Sequence, residues 1–308
     1  MKRVLITGGS GFLGAWIIRR LTARGMSVRV FDIHGNRQTV ASIAGDAAHQ
    51  LDWRVGDIRD AGGVRQAMQD CDGVIHLAGV LTPDCSAHPV RGAEINLIGA
   101  LNVFDAAHAQ GIVQVVYASS AGVYGPDDAK HPQPATHYGA FKLAVEGSAR
   151  AYWRERRIAS VGFRPFVVYG PGRETGVSAG PSLACRAAVR GEAYTIGYTG
   201  ASGLIYVGDV AQAFEQALLT PMHGASVYNL VGQLTTVDEV ITEIRRQVPG
   251  ARLQAEGPAL TIAPGITEER LNTLLPRRQP TGLAQGIAAT LSYYRAQNEC
   301  CHDLKGTP

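Results

Sequence analysis

Charge is scarce in this chain: 18% of its 308 residues are Asp, Glu, Lys or Arg, and the basic ones never gather into a run. Without such a run nothing can track a nucleic-acid backbone, and a net charge of +3 calls for no special partner. Long apolar stretches are missing too. The longest are strand-sized and broken by Gly or a charge, far short of the roughly 18 residues of a membrane span. In the opening "MKRVLITGG" the apolar run after the basic pair ends quickly in glycines, so no signal peptide is expected and the cytoplasm is the expected location. The cysteines Cys71, Cys85, Cys185, Cys300 and Cys301 show no CxxC spacing and no neighbouring His cluster. That fits a reducing compartment, and no metal site is expected.

What the chain does have is alternation. Short β-branched runs, "KRVLITG", "SVRVFD", "DWRVGD", "GVIHLAG", "IVQVVYAS" and "IASVGFRP", take turns with amphipathic segments around 12–24, 62–70, 92–110 and 138–156. Strand runs with little polar alternation belong in a parallel sheet covered by helices on both faces. After residue 170 the regularity fails. Helical patches near 181–190, 209–219, 236–247 and 281–297 are separated by Gly- and Pro-rich pieces, which predicts a smaller lobe above the sheet. The expected division is a dinucleotide-binding domain at 1–168 and a smaller substrate-binding lobe at 169–300, with about 204–232 returning to the sheet. The end at 301–308 reads as a frayed tail.

"VLITGGSGFLGAWIIRRL" sets Gly8, Gly11 and Gly14 between a strand and an amphipathic helix. Glycines there let the backbone approach a pyrophosphate, and the helix start aims free N–H groups at it, so a dinucleotide site is expected. Asp32 ends the second strand, where its carboxylate can accept from an adenosine ribose and repel a 2′-phosphate; this favours NAD over NADP, although Arg37 leaves room for NADP. Asp57 and Ile58 can hold an adenine by its polar edge and apolar face, or simply make a strand-end turn. Leu77, Ala78 and Gly79 close the fourth strand with small residues where a coenzyme must pass, and His76 is given no catalytic role. Ser119 and Ser120 end the fifth strand, and Tyr138 and Lys142 stand one turn apart on the next helix. With an ammonium and an oxidised nicotinamide beside it, the phenol can take or give the proton of a substrate hydroxyl while a serine hydrogen-bonds the same oxygen.

Taken together, TGGSGFLG at 7–14, Asp32, "GDI" at 56–58, "HLAG" at 76–79, "NLIGALN" at 96–102, "SSAGVYG" at 119–125, "YGAFK" at 138–142, "RPFVVYGPG" at 164–172 and "YVGDVA" at 206–211 resemble the extended short-chain dehydrogenase/reductase family, the NAD-dependent epimerase/dehydratase family. The resemblance implies a Rossmann-type doubly wound α/β fold with a smaller C-terminal lobe. It implies Ser120 rather than Ser119 as the catalytic hydroxyl, with Tyr138 and Lys142. It implies coenzyme contacts at Phe12, Leu13, Asn96, Pro165 and Val168, and a homodimer formed as a four-helix bundle from the helices around 92–110 and 138–156. Two departures matter. Val167 stands where nucleotide-sugar epimerases of the family typically carry an asparagine, and Ser202 where they carry an arginine; neither can meet a diphosphate with charge. Arg173 or Arg186 can compensate. The expectation is therefore an NAD-dependent oxidoreductase acting on a secondary alcohol of a small sugar or sugar acid, with Arg173 beside Ser120 and Tyr138 in the substrate site. The alternatives are a nucleotide-sugar 4-epimerase and a non-catalytic dinucleotide sensor. "GRETGVSAGPSLACRAA" and "YTIGYTG" are expected to line the pocket.

Overall fold

The structure is a computed structural model describing residues 3–268, 270–276 and 278–303, with side chains to residue 299. The apolar runs of the first half form strands β1 (Arg3–Thr7), β2 (Ser27–Asp32), β3 (Asp52–Val55), β4 (Gly73–His76), β5 (Gln114–Ala118) and β6 (Ala159–Pro165). They pair in parallel throughout. Between them run α1 (Phe12–Ala23), α2 (Gln38–Ala44), α3 (Ala61–Met68), α4 (Thr82–Ala87), α5 (Pro89–Ala93), α6 (Gly99–Ala109) and α7 (His137–Arg156). The helices at 38–44 and 82–87 are short and carry little periodicity, which is why the sequence pattern does not reveal them. The segment around 92–110 is a composite, with one π-helical turn at Glu94–Ile98 between α5 and α6.

Beyond β6 come β7 (Val167–Tyr169), α8 (Gly180–Arg190), β8 (Tyr194–Ile196), β9 (Ala201–Tyr206), α9 (Val207–Leu219), β10 (Ala225–Leu230), β11 (Gln233–Thr236), α10 (Val237–Gln247), β12 (Leu253–Ala255), α11 (Leu271–Leu274) and α12 (Leu283–Asp303). β10 returns to the edge of the main sheet, giving seven strands in the order β10-β6-β5-β4-β1-β2-β3. β11-β9-β7 and β12-β8 form two small sheets outside it. Helix α12 runs on to Asp303, into the expected tail, of which 304–308 lie outside the described residues, as do the side chains of Cys300 and Cys301.

Because successive strand residues face opposite ways, Val4 and Ile6 of β1 pack on one side of the sheet and Leu5 on the other. The first side is covered by Ile17, Ile18 and Leu21 of α1 with Val210 and Phe214 of α9. The second is covered by Val64 and Met68 of α3, Val103 and Phe104 of α6, and Val145 and Ala149 of α7. At about 1.5–3 kcal/mol per large apolar side chain, these two layers hold the strands in register. A separate core joins Val167 and Leu204 to Cys185, Ile244, Ile287 and Leu291 of α8, α10 and α12. It suspends the smaller lobe above the carboxyl ends of the strands. β1 connects onward to β2 on one side and has β4 on the other, so the crevice where such folds bind ligands opens there.

Candidate active site

A cleft of about 800 Å³ occupies that crevice. Its floor begins at the glycine turn. Gly8 has φ +69°, and a Cβ there would stand 2.6 Å from the Ala78 backbone nitrogen, so only glycine lets β1 and β4 close on each other at this point. Gly11 is the N-cap of α1 and no side chain caps that first turn, which leaves its N–H donors to the cleft. Gly11, Phe12, Leu13 and Gly14 line the same wall, with Leu77, Ala78 and Gly79 opposite and Pro165 and Val168 above. These backbone donors and the bare backbone at Gly8, Gly11 and Gly14 suit a dinucleotide pyrophosphate.

At one end the carboxylate of Asp32 accepts from Ser10 N and His34 N, both at 3.1 Å, and still faces the cleft. It is thus a turn-capping aspartate and a cleft-lining one at once. Asp57 also lines the cleft, but Arg59 grips it at 2.6 Å; those hydrogen bonds, working against burial, hold its carboxyl below the usual carboxylate range. Ile58 lines the cleft beside it and belongs to the core between α3 and α6.

At the middle of the cleft the sheet meets α7. Thr136 caps this helix by accepting from Gly139 N at 3.1 Å. Position 139 must be glycine because a Cβ would fall 2.0 Å from the Gly122 carbonyl oxygen; this contact draws the helix start against the turn after β5. Ser120 Oγ accepts from Gly122 N at 3.0 Å and lines the cleft with Tyr138. The Ser119 hydroxyl instead donates to Glu146 Oε1 at 2.5 Å, in the interior. Burial pushes the Tyr138 phenol up; a hydrogen bond with Ser120 and the Arg173 guanidinium oppose that rise.

Two of the expected residues stand behind the wall rather than in it. Lys142 is 4% exposed, and its Nζ donates to the Ala118 carbonyl at 2.9 Å, 5.7 Å from the Tyr138 ring centroid. Burial without a carboxylate pulls its pKa down to about 8. Asn96, in the π-helical turn, donates to the carbonyls of Val80 and Gly92, each at 3.1 Å, and thereby fixes the cleft-lining segment after β4. Its Oδ1 is buried with no partner among the described residues. His76 shares a 2.7 Å hydrogen bond with the Thr7 hydroxyl and is buried, which pushes its pKa down to about 3; it is a neutral core histidine.

The far end of the cleft comes from the excursions. Of the expected segment 172–188 only Arg173 and 175–178 line it, the rest entering α8 and the smaller lobe's core, and 194–200 does not line it: Tyr198 is 2% exposed and packed in that core. Leu260, Thr261 and Ile262 take that place, with Val80, Leu81 and Thr82 facing. Nothing local marks 260–262, an apolar stretch whose position depends wholly on tertiary packing. Val167 and Ser202 are buried, and Arg186 pairs with Glu174 outside the cleft. Among the described residues no cluster of His, Cys, Asp or Glu could hold a metal, and no helix is long and apolar enough to cross a membrane.

A parallel sheet with a glycine turn at its switch point and helices on both faces defines a Rossmann-type architecture, with a serine and a tyrosine in its cleft and a buried lysine behind them. The comparisons with known proteins agree. The model of the NAD dependent epimerase/dehydratase family matches residues 4–231, and the chain belongs to that family. UDP-glucose 4-epimerase 3 of Oryza sativa subsp. japonica is 30% identical over 281 residues, 77% of this chain and 74% of the relative. The structure of the Thermus thermophilus UDP-glucose 4-epimerase complexed with NAD superimposes with a TM-score of 0.81, at 27% identity, covering 95% of this chain and 99% of that one. A partial-consensus L-threonine 3-dehydrogenase shares the fold with a TM-score of 0.86, at 23% identity and covering 96% of this chain and 99% of that one.

Proposed function

We propose that this chain uses NAD to oxidise and re-reduce a secondary alcohol of a sugar, as an epimerase. The observation that carries the reading is the meeting of Ser120 and Tyr138 in the cleft that starts at the Gly8–Gly14 turn. The residues fit the coenzyme: Gly8 to Gly14 and the start of α1 would hold the pyrophosphate, Asp32 the adenosine ribose, Asp57 and Ile58 the adenine edge. Bound NAD supplies a hydride acceptor and donor. Tyr138 Oη takes the proton of the substrate hydroxyl, and Ser120 Oγ hydrogen-bonds that oxygen as it passes between alcohol and carbonyl. Lys142 sets a positive charge behind the phenol and orients it through its anchor on Ala118. Asp32, with no cation among the described residues gripping its carboxylate, supports NAD over NADP; turnover with each coenzyme compares them.

The relatives named UDP-glucose 4-epimerase support the epimerase form. A second reading, net dehydrogenation of a smaller substrate, is favoured by the uncharged, buried Val167 and Ser202. One assay separates the two. An epimerase inverts its sugar, seen by NMR, without accumulating NADH, whereas a dehydrogenase builds up NADH absorbance. In either form Tyr138→Phe should lower turnover by about 10²–10⁴-fold. Unchanged turnover in that variant would remove the mechanism. The chain is further read as a homodimer through α6 and α7, where Ile98 at the start of α6 is 46% exposed; sedimentation gives the mass directly.

A further inference from the structure

The cleft wall at 260–262 lies outside every helix and strand, and those three residues make no hydrogen bond of their own among the described residues. Leu260 and Ile262 lean on the smaller lobe's core. The polar anchors stand at the two ends of the strap. Upstream, the Thr199 hydroxyl donates to the Gly257 carbonyl at 2.9 Å, and Thr199 N to the Pro258 carbonyl at 3.3 Å. Downstream, Ala263 N donates to the Gly125 carbonyl at 3.0 Å, in the loop that follows Ser120, and Asn229 Nδ2 to the Thr267 carbonyl at 2.9 Å. The last anchor is Glu268. Its Oε1 accepts from two successive backbone donors, Val231 N and Gly232 N, the second at 2.9 Å, while its Oε2 accepts from Arg278 Nη2 at 2.5 Å. Successive N–H groups that converge on one oxygen form an anion-binding concavity, and here the chain fills it with its own carboxylate.

We propose that Glu268 is a positioning residue of the active site: it pins the strap 256–268 to the carboxyl end of β10 and so holds 260–262 closed over the reacting end of the cleft. The inference rests on the reading of the site given above and adds what keeps that site shut. The turn that Glu268 grips is a fixed point for both walls. β10 pairs with β6, Phe166 N donates to the Leu230 carbonyl at 2.9 Å, and Pro165, Phe166 and Val168 line the cleft. Glu268 binds the two residues that follow Leu230, so it sets one wall against the other. Gly232 allows the turn by taking φ +71°, where a Cβ would collide with the Leu204 carbonyl oxygen. With its side chain 18% exposed and that of Arg278 11%, the pair is largely shielded from competing water. Glu268 itself lies outside the cleft lining, and its effect on substrate passes through Leu260, Thr261 and Ile262. A wall held this way keeps water from the reduced coenzyme while the keto intermediate is bound.

The test compares wild type with Glu268→Ala by amide hydrogen exchange and by acrylamide quenching of the fluorescence of bound NADH. In the variant the amides of 257–267 should exchange about 10-fold or more faster, while those of β1 and α1 keep their wild-type rates. Acrylamide should quench the bound coenzyme more strongly, and NADH affinity should not change. Glu268→Gln keeps an oxygen for Val231 N and Gly232 N but turns an NH2 toward Arg278, so it should move both readouts the same way by less; it also serves if Glu268→Ala does not fold. In turnover the loosened wall should raise KM and leave kcat nearly unchanged, whereas Tyr138→Phe lowers kcat. Unchanged exchange at 257–267, or unchanged quenching, overturns the inference. So does exchange that rises equally through β1 and α1, because Glu268 would then support the fold as a whole. The exchange measurement needs no coenzyme: a protein that failed to bind NADH would sink the reading of the cleft, and the anchoring of the wall would still be decided at 257–267.

Discussion

One turn of α7 separates Lys142 from Glu146, the partner of Arg164 on β6, and the two cations, both largely out of solvent, have opposite fates. Lys142 faces the back of the cleft, has a carbonyl and no carboxylate for company, and is pulled down to about 8. Behind it Arg164 donates to Glu146 through Nε at 2.8 Å and Nη2 at 2.5 Å; burial works against its charge, but Glu146 outweighs burial and Arg164 is held above the usual range. Ser119 and Tyr124 complete this inner layer, donating to Glu146 and accepting from Arg164, and Tyr124 links on to Asn229 of β10. The contrast separates scaffold from chemistry. The inner layer has met its charge and ties β5, β6, α7 and β10 together, whereas Lys142, just behind the cleft lining, has a carbonyl and no counter-charge among the described residues.

The comparison breaks first at Glu146, whose side chain has no exposure. Glu146→Ala leaves a buried guanidinium and the Ser119 hydroxyl without their acceptor, and should cost about 3–5 kcal/mol of stability in denaturant unfolding. An unchanged midpoint would mean the inner layer is not what holds α7 to the sheet. Lys142→Met should do the reverse: it removes a desolvated charge worth about 3 kcal/mol and loses one hydrogen bond of about 1, so the variant should be about 2 kcal/mol more stable at pH 7 while turnover collapses. The sign follows from linkage. The unfolded lysine, near 10.5, holds a proton that the folded one releases near 8, so wild type should gain stability between pH 8 and 10.5 and the variant should not.

This division of labour is only partly legible in the sequence. The strands, the glycine turn and the helix carrying Tyr138 and Lys142 show as local patterns, because parallel-sheet burial and phosphate cradles impose composition on contiguous residues. Ser119 and Ser120 are neighbours that both line the cleft, and their hydroxyls part ways, Ser119 to Glu146 and Ser120 to Gly122 N, a difference no local pattern shows. What stays hidden is non-local. Glu146 and Arg164 are ordinary charges until α7 packs on β6, and 260–262 become a cleft wall only through the smaller lobe's core. Lys142 and Asn96 lie just behind the lining, a depth that neither helix spacing nor the family pattern encodes.

The smallest effect probes the boundary between the two layers. His76, on β4, takes its depressed pKa from burial first and from the Lys142 charge second. The unfolded chain binds a proton near pH 6.5 that the folded chain refuses until about 3, so stability should fall as pH drops through that window, at up to about 1.4 kcal/mol per unit. Exposed carboxylates add to the slope in every variant; the difference between wild type and His76→Gln isolates the histidine. Lys142→Met then sharpens the point. If the ammonium acts on its surroundings as an unpaired charge, removing it lets His76 accept a proton at a slightly higher pH and makes the acid slope shallower, a change of a few tenths of a kcal/mol by the order of a screened charge at this range. An acid slope that is the same with and without the lysine would mean its charge is already neutralised in the folded protein, and the distinction between the two layers of α7 would vanish.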